Sequence, residues 1–168
     1  MIARLSCIAV VLLALGAVAK AGPLEAEIGA AAVVFDMPHA ERETIGVGTL
    51  TATLRVDPRV PIGVRMHLAI GRGGAGTRVF GIAVRQQRGG LVIDSGFGIA
   101  SITGNDMAPS LRPSGIGLAL DVRVGYLVGP VTIAAYALPT WVFASDAFAS
   151  EGELRSAIEA GLSIGRRL

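Results

Sequence analysis

The chain has 168 residues, 17% of them charged and 52% hydrophobic, with 15 basic residues, 13 acidic ones and a single cysteine. Its mean hydropathy is +0.61. One cysteine excludes an internal disulfide framework, and so even a charge balance gives no sign of the basic patch that marks a nucleic-acid-binding protein.

The first residues set the compartment. A basic residue, Arg4, precedes an apolar run from Leu5 to Val18, and Ala19-Lys20-Ala21 follows with small residues on either side of one lysine. That order reads as a secretory signal peptide over residues 1–21, cleaved after Ala21. The run is shorter than the roughly 20 apolar residues of a spanning helix. Cys7 stands before the apolar core rather than after it, so a lipoprotein attachment does not fit. Cleavage removes it and leaves residues 22–168 as one domain. Removing Arg4 and Lys20 from the 15 basic residues leaves 13, against 13 acidic ones. Lys20 is also the only lysine, whereas a water-facing surface is usually rich in Lys and Glu. No later stretch is long enough for a spanning helix, so a membrane location would require a closed barrel.

Side chains alternate faces along a strand, and the mature chain alternates throughout. From Leu24, one face carries Leu24, Ala26, Ile28, Ala30, Ala32 and Val34, and the other Glu25, Glu27, Gly29 and Ala31. A polar break containing Pro38 follows. The second alternation runs from Thr49 to Val56, with Thr49, Thr51, Thr53 and Arg55 opposite Leu50, Ala52 and Leu54. Asp57-Pro58 ends it. The third runs from Ile62 to Gly71, with Arg65 and His67 on its polar face, and ends in the glycine-rich Arg72–Gly76. The fourth covers Val79 to Arg85. Gly89-Gly90 is a two-residue hairpin signal that sets Arg85 opposite Asp94. The fifth covers Leu91 to Ala100, and a loop with Gly104-Asn105-Asp106 and two prolines follows it. The sixth is the clearest: Ile116, Leu118, Leu120, Val122, Val124, Tyr126 and Val128 oppose Gly117, Ala119, Asp121, Arg123 and Gly125. Gly129-Pro130 turns into the seventh, Val131 to Phe143. The eighth reads from Glu153 to Gly165, with Arg155 and Glu159 on its polar face, although the spacing of Leu154, Ala157 and Ile158 also suits a helix over 151–160.

Eight strands with alternating tight and longer connections predict an all-β, antiparallel up-and-down barrel. Alternation alone leaves open which face is inside. A lipid-facing apolar surface makes the polar face a lumen; an inward apolar surface makes a soluble secreted or periplasmic barrel that binds a small apolar ligand. Two features favour the first. The polar face is crowded with Gly and Ala, which a narrow lumen needs, and its charges come in both signs. The expected lumen network is Glu25, Glu27, Arg55, Arg65, His67, Arg85, Asp94, Asp121, Arg123, Arg155 and Glu159.

On these features the mature chain resembles the small eight-stranded outer-membrane barrels of the OmpA/OmpX type. The resemblance implies a transmembrane β-barrel in the outer membrane of a Gram-negative bacterium, inserted with the barrel-assembly machinery into outer-membrane lipid. It also implies both termini in the periplasm and four loops outside, with a structural or surface-interaction role. An interior just wide enough for side chains implies a filled lumen rather than an open pore.

Sites of chemistry are sparse. His67 invites reading as a general base, but no serine motif accompanies it, and a hydrogen-bonded lumen histidine is the expectation. His39 lies near Asp36, Glu41 and Glu43, ligand types suited to a metal, at a spacing that fits no standard motif. Gly71–Gly76 lacks the Lys-Ser/Thr ending of a phosphate-binding loop. The expectation is therefore no enzyme activity and no cofactor.

Overall fold

A computed structural model of the protein describes residues 24–36, 42–55, 60–104, 114–145 and 156–167. Eight strands form a closed barrel in chain order: β1 Leu24–Asp36, β2 Glu43–Arg55, β3 Ile62–Gly71, β4 Gly76–Arg88, β5 Leu91–Thr103, β6 Ser114–Val128, β7 Val131–Ser145 and β8 Ser156–Arg167. Every neighbouring pair is antiparallel, and β1 closes on β8. Closure removes the two free edges that an open sheet would expose.

The register fixes the size of the barrel. From Arg78 the pairs lead through Leu68, Leu50, Ile28, Ile164, Ile133, Tyr126 and Leu91 back to Arg88, ten residues further along the same strand. A shear of ten on eight strands, at spacings of about 3.3 Å along and 4.8 Å between strands, tilts them by about 40°. The backbone radius is then about 8 Å, which leaves room inside for side chains and little else.

Parity decides the facing. Ile116, Leu118, Leu120, Val122, Val124, Tyr126 and Val128 are exposed on the outside of β6. Asp121 and Arg123, on the opposite parity, are buried. The apolar face therefore points out, the reverse of what a soluble barrel with an apolar ligand inside requires. Ile116 to Val128 spans about 30 Å along the barrel axis at that tilt, close to the hydrocarbon thickness of a bilayer.

Two connections are two-residue hairpins. Gly89 and Gly129 carry φ of 61° and 60°, and neither Gly90 nor Pro130 has a positive φ. A turn with positive φ only at its first central position is of the II′ kind. That is why proline is tolerated second in the β6–β7 turn. The other short connection, after β3, is a 3-10 turn over Arg72–Gly74 with Gly73 at φ 69°. No helix follows it, so the glycine-rich segment is a hairpin connection.

Several strands run beyond their sequence limits. β2 begins at Glu43 rather than Thr49, β4 spans Gly76–Arg88, and β5 continues to Thr103. The missed part of β2 inverts the expected polarity, with Val47 buried and Gly46 and Gly48 facing out. β1 does the same with Val33 and Phe35, both fully buried. The helix considered over 151–160 is not formed in its described part, because Ser156 onward is strand paired to β1 and β7. The signal peptide, His39, Arg155 and the first residues of the expected eighth strand lie outside the described residues.

Leu120→Arg should lower stability by about 2–4 kcal/mol in a lipid-refolding titration, the cost of a charge facing mid-bilayer. Leu120→Met should cost less than about 1.5 kcal/mol. Equal losses from the two would place Leu120 away from lipid.

Candidate functional site: the lumen network

Inward parity brings ten of the eleven expected residues into one interior; the eleventh, Arg155, is not among the described residues. Glu25, Glu27, Arg55, Arg65, His67, Asp94, Asp121, Arg123 and Glu159 are buried, and Arg85 is partly so. The enclosed charges can persist only if each meets an opposite charge or several hydrogen-bond donors.

At the end near the hairpin turns, Asp94 is the hub. Arg85 donates from Nε to Asp94 Oδ1 and from Nη2 to Oδ2, both at 2.8 Å, a bidentate pair across the β4–β5 hairpin. Its remaining nitrogen, Nη1, reaches Glu25 Oε1 at 2.6 Å. Arg65 crosses from β3 and donates to Asp94 Oδ2 at 2.6 Å and to Asp121 Oδ2 at 2.8 Å, with Nε on Thr53 Oγ1. Arg55 stands further off, 3.5 Å from Glu25 and 3.6 Å from Asp94, and donates to the Pro61 carbonyl.

Midway along the lumen, Arg123 joins the two halves. Its Nε lies 3.0 Å from both Asp121 oxygens, and its Nη1 donates to Glu27 Oε2 at 2.9 Å. Ser163 donates to that same oxygen from β8. The guanidinium also lies over the Tyr136 ring, 4.6 Å from its centroid. Its Nη2 approaches His67 Nδ1 at 3.3 Å. A guanidinium only donates, so Nδ1 accepts, and Nε2–H is left to donate to Glu159 Oε1 at 2.8 Å. Glu159, fully buried, further accepts from the Tyr136 hydroxyl at 2.6 Å and from Thr77.

Thr51, His67 and Glu159 thus form a hydroxyl–imidazole–carboxylate chain, with Thr51 Oγ1 2.8 Å from Nδ1. Its outline is that of a nucleophile with its base and orienting acid. All three are buried among other side chains. His67 serves as a bridge between Arg123 and Glu159.

Beyond Glu159, toward the opposite end, the interior turns apolar. Val33, Phe35, Val47, Ala69, Ile102 and Ala157 form one cluster, and Ala100, Ala119, Tyr136 and Leu138 a second. Sequence reading did not assign Thr51, Thr53, Thr77, Tyr136 or Ser163 to the network. Four of them were already on the polar face by parity, and that was the available signal. Thr77, on β4 before Val79, fell outside the expected strand. Among the described residues, no three His, Cys, Asp or Glu side chains converge to hold a metal ion.

Asp94→Ala would leave Arg65, Arg85 and Arg55 without their shared acceptor and should cost about 3–5 kcal/mol. Arg85→Ala should cost less, because Asp94 keeps Arg65. A double-mutant cycle on the two should give a coupling above about 1 kcal/mol in a lipid-refolding assay; a coupling of zero would leave the pair without energetic weight. Glu159→Gln should destabilise more than Tyr136→Phe, whose cost is about 1–3 kcal/mol, since an amide NH2 cannot accept from three donors. The reverse order would remove Glu159 from its place as the acceptor at the apolar end.

No family model matches the chain, and no curated protein matches it in sequence. Solved structures do. Neisserial surface protein A (NspA) superposes with a TM-score of 0.58 at 9% identity, covering 88% of this chain and 99% of that one. Ail, the attachment invasion locus protein of Yersinia pestis, gives 0.57 at 12%, covering 88% and 99%. The N-terminal β-barrel domain of Pseudomonas aeruginosa OprF gives 0.51 at 10%, covering 84% and 97%. At such identities the likeness is one of fold, and it extends over nearly the whole of each compared chain: this protein has the fold of the small eight-stranded outer-membrane barrels.

Proposed function

We propose that this chain is an outer-membrane barrel of a Gram-negative bacterium, with a structural or surface-interaction role and a lumen that does not conduct. The observation that carries the reading is the interior itself. Residues from all eight strands meet across it: Glu27 of β1, Thr51 of β2, His67 of β3, Thr77 of β4, Asp94 of β5, Arg123 of β6, Tyr136 of β7 and Glu159 of β8. An aqueous channel would need those charges to line a gap, whereas here they neutralise one another at hydrogen-bond distance. Near the hairpin-turn end, a cavity of about 50 Å³ is bordered by Glu25, Glu27, Arg85 and Arg167. It has room for only a water or two.

The topology supports an interaction role for the far end. Both ends of the barrel, β1 and β8, start and finish beside the hairpin turns. The strand ends that lead into the connections after β1, β3, β5 and β7 lie together at the opposite end, where an apolar cluster packs the interior. In the orientation of outer-membrane barrels those four connections face the surroundings and the termini face the periplasm. Lipid holds the outer wall, and what the loops meet defines the biological role.

Cell fractionation tests the location: the mature protein should sediment with outer membranes and resist salt and alkaline extraction, and recovery as a soluble periplasmic protein would overturn the reading. Planar-bilayer recording tests the closed lumen. The purified barrel should give no stable conductance steps, and reproducible unitary currents would refute the plugged interior.

A further inference from the structure

On its outer wall the barrel carries a groove of about 240 Å³ lined by Val64, Phe80, Ile82, Phe97, Ile99 and Leu118, with Gly81 and Gly98 at its floor. Those two glycines are direct partners across β4 and β5, and both face inward. A side chain at either would run into the other strand's backbone, at the Phe97 or Phe80 carbonyl. At this pair the floor of the groove is backbone alone. The outward side chains of the flanking pairs, Phe80 with Ile99 and Ile82 with Phe97, form the sides of the groove.

The rim of the groove is not neutral. The outward face of β4 reads Arg78, Phe80, Ile82, Val84, Gln86 and Arg88, an apolar stretch bounded by polar residues at both ends. Arg78 is exposed, one outward step above Phe80, and pairs with Leu68 on one side and Ser101 on the other. Among the described residues it makes no hydrogen bond or ion pair, whereas inside the barrel Arg65, Arg85 and Arg123 each hold carboxylates. An unpaired guanidinium at the edge of an apolar band favours an anionic partner, and phosphate suits its forked donors. Outward-facing Ser101 adds a hydroxyl donor beside it.

We infer that this groove is a binding site for one anionic lipid, with its phosphate on Arg78 and Ser101 and an acyl chain laid between Phe80 and Phe97. The inference rests on the membrane-barrel reading. It adds that the lipid around the barrel is not uniform: one molecule is selected by charge at one point of the wall.

The test uses the full mature protein, extracted from membranes in mild detergent and placed in nanodiscs of phosphatidylglycerol and phosphatidylcholine with identical chains. Folding of each variant is scored by the difference in gel mobility between heated and unheated samples. Native mass spectrometry should show one retained phosphatidylglycerol, preferred over phosphatidylcholine by about fivefold, the contribution of one basic side chain at a lipid surface. Arg78→Gln should abolish the preference, and Ile99→Trp, which fills the groove, should lower retention of both lipids. Arg166→Gln, at the opposite rim, should leave the preference intact. Photoactivatable phosphatidylglycerol on the unmodified protein should cross-link to β4 and β5. An unchanged preference in Arg78→Gln, an equal loss in Arg166→Gln, or cross-links spread evenly around the barrel would overturn the inference. A folded barrel without lipid preference refutes this site alone, while a protein that never enters membranes refutes the barrel reading beneath it.

Discussion

Eight strands closed at a shear of ten bring inward side chains from every strand within reach of one another across a narrow interior, and the rest of the structure follows from that enclosure. Inward-facing charges lose their hydration, so each must be compensated by another side chain. The solution is a chain of alternating signs rather than isolated pairs: Arg85 to Asp94, Arg65 between Asp94 and Asp121, Arg123 between Asp121 and Glu27. Threonine and serine hydroxyls complete the sites where charges alone cannot reach. The apolar face has no such demand. It needs only a surround that does not compete for hydrogen bonds, and lipid provides one.

The enclosure is not uniform along its length. The end near the hairpin turns is ionic and opens to a small cavity, whereas the opposite end is sealed by Phe35, Val33, Ile102 and Leu138. Glu159 sits at the boundary. Its two oxygens collect donors from three other strands, those of His67, Thr77 and Tyr136, so the last carboxylate before the apolar region is fully satisfied.

Much of this was legible in the sequence, because period two maps directly onto in and out. The hairpin at Gly89-Gly90 fixed the Arg85–Asp94 pair without any structure, since a two-residue turn permits only one register there. The pattern failed where its premise failed. A reading that assigns apolar residues to the outside cannot recognise Val33, Phe35 and Val47, which are apolar and inside, packed with Ala69, Ile102 and Ala157. The start of β2 was lost for the same reason, its outward positions being Thr44, Gly46 and Gly48, none of them apolar side chains. Long-range partners were equally hidden. Parity places His67 and Glu159 on the same face, but 92 residues separate them, and only the shear brings them together. The groove between Phe80 and Phe97 lies where Gly81 and Gly98 pair across β4 and β5, and alternation within a strand does not say how outward side chains pack against one another between strands.

The β1–β8 seam has a consequence for biogenesis. Ser163 and Glu27, bonded across 136 residues, lie on strands from opposite ends of the domain, and Glu159 draws its partners from β3, β4 and β7. None of these bonds exists until the final strand is in place. A chain interrupted before β8 would leave His67 Nε2, Thr77 and the Tyr136 hydroxyl without the carboxylate they share, and Glu27 with Arg123 but without Ser163, an arrangement that is costly in any apolar surround. The interior is thus finished by its last strand: the end of the polypeptide brings the one carboxylate that donors on three earlier strands share.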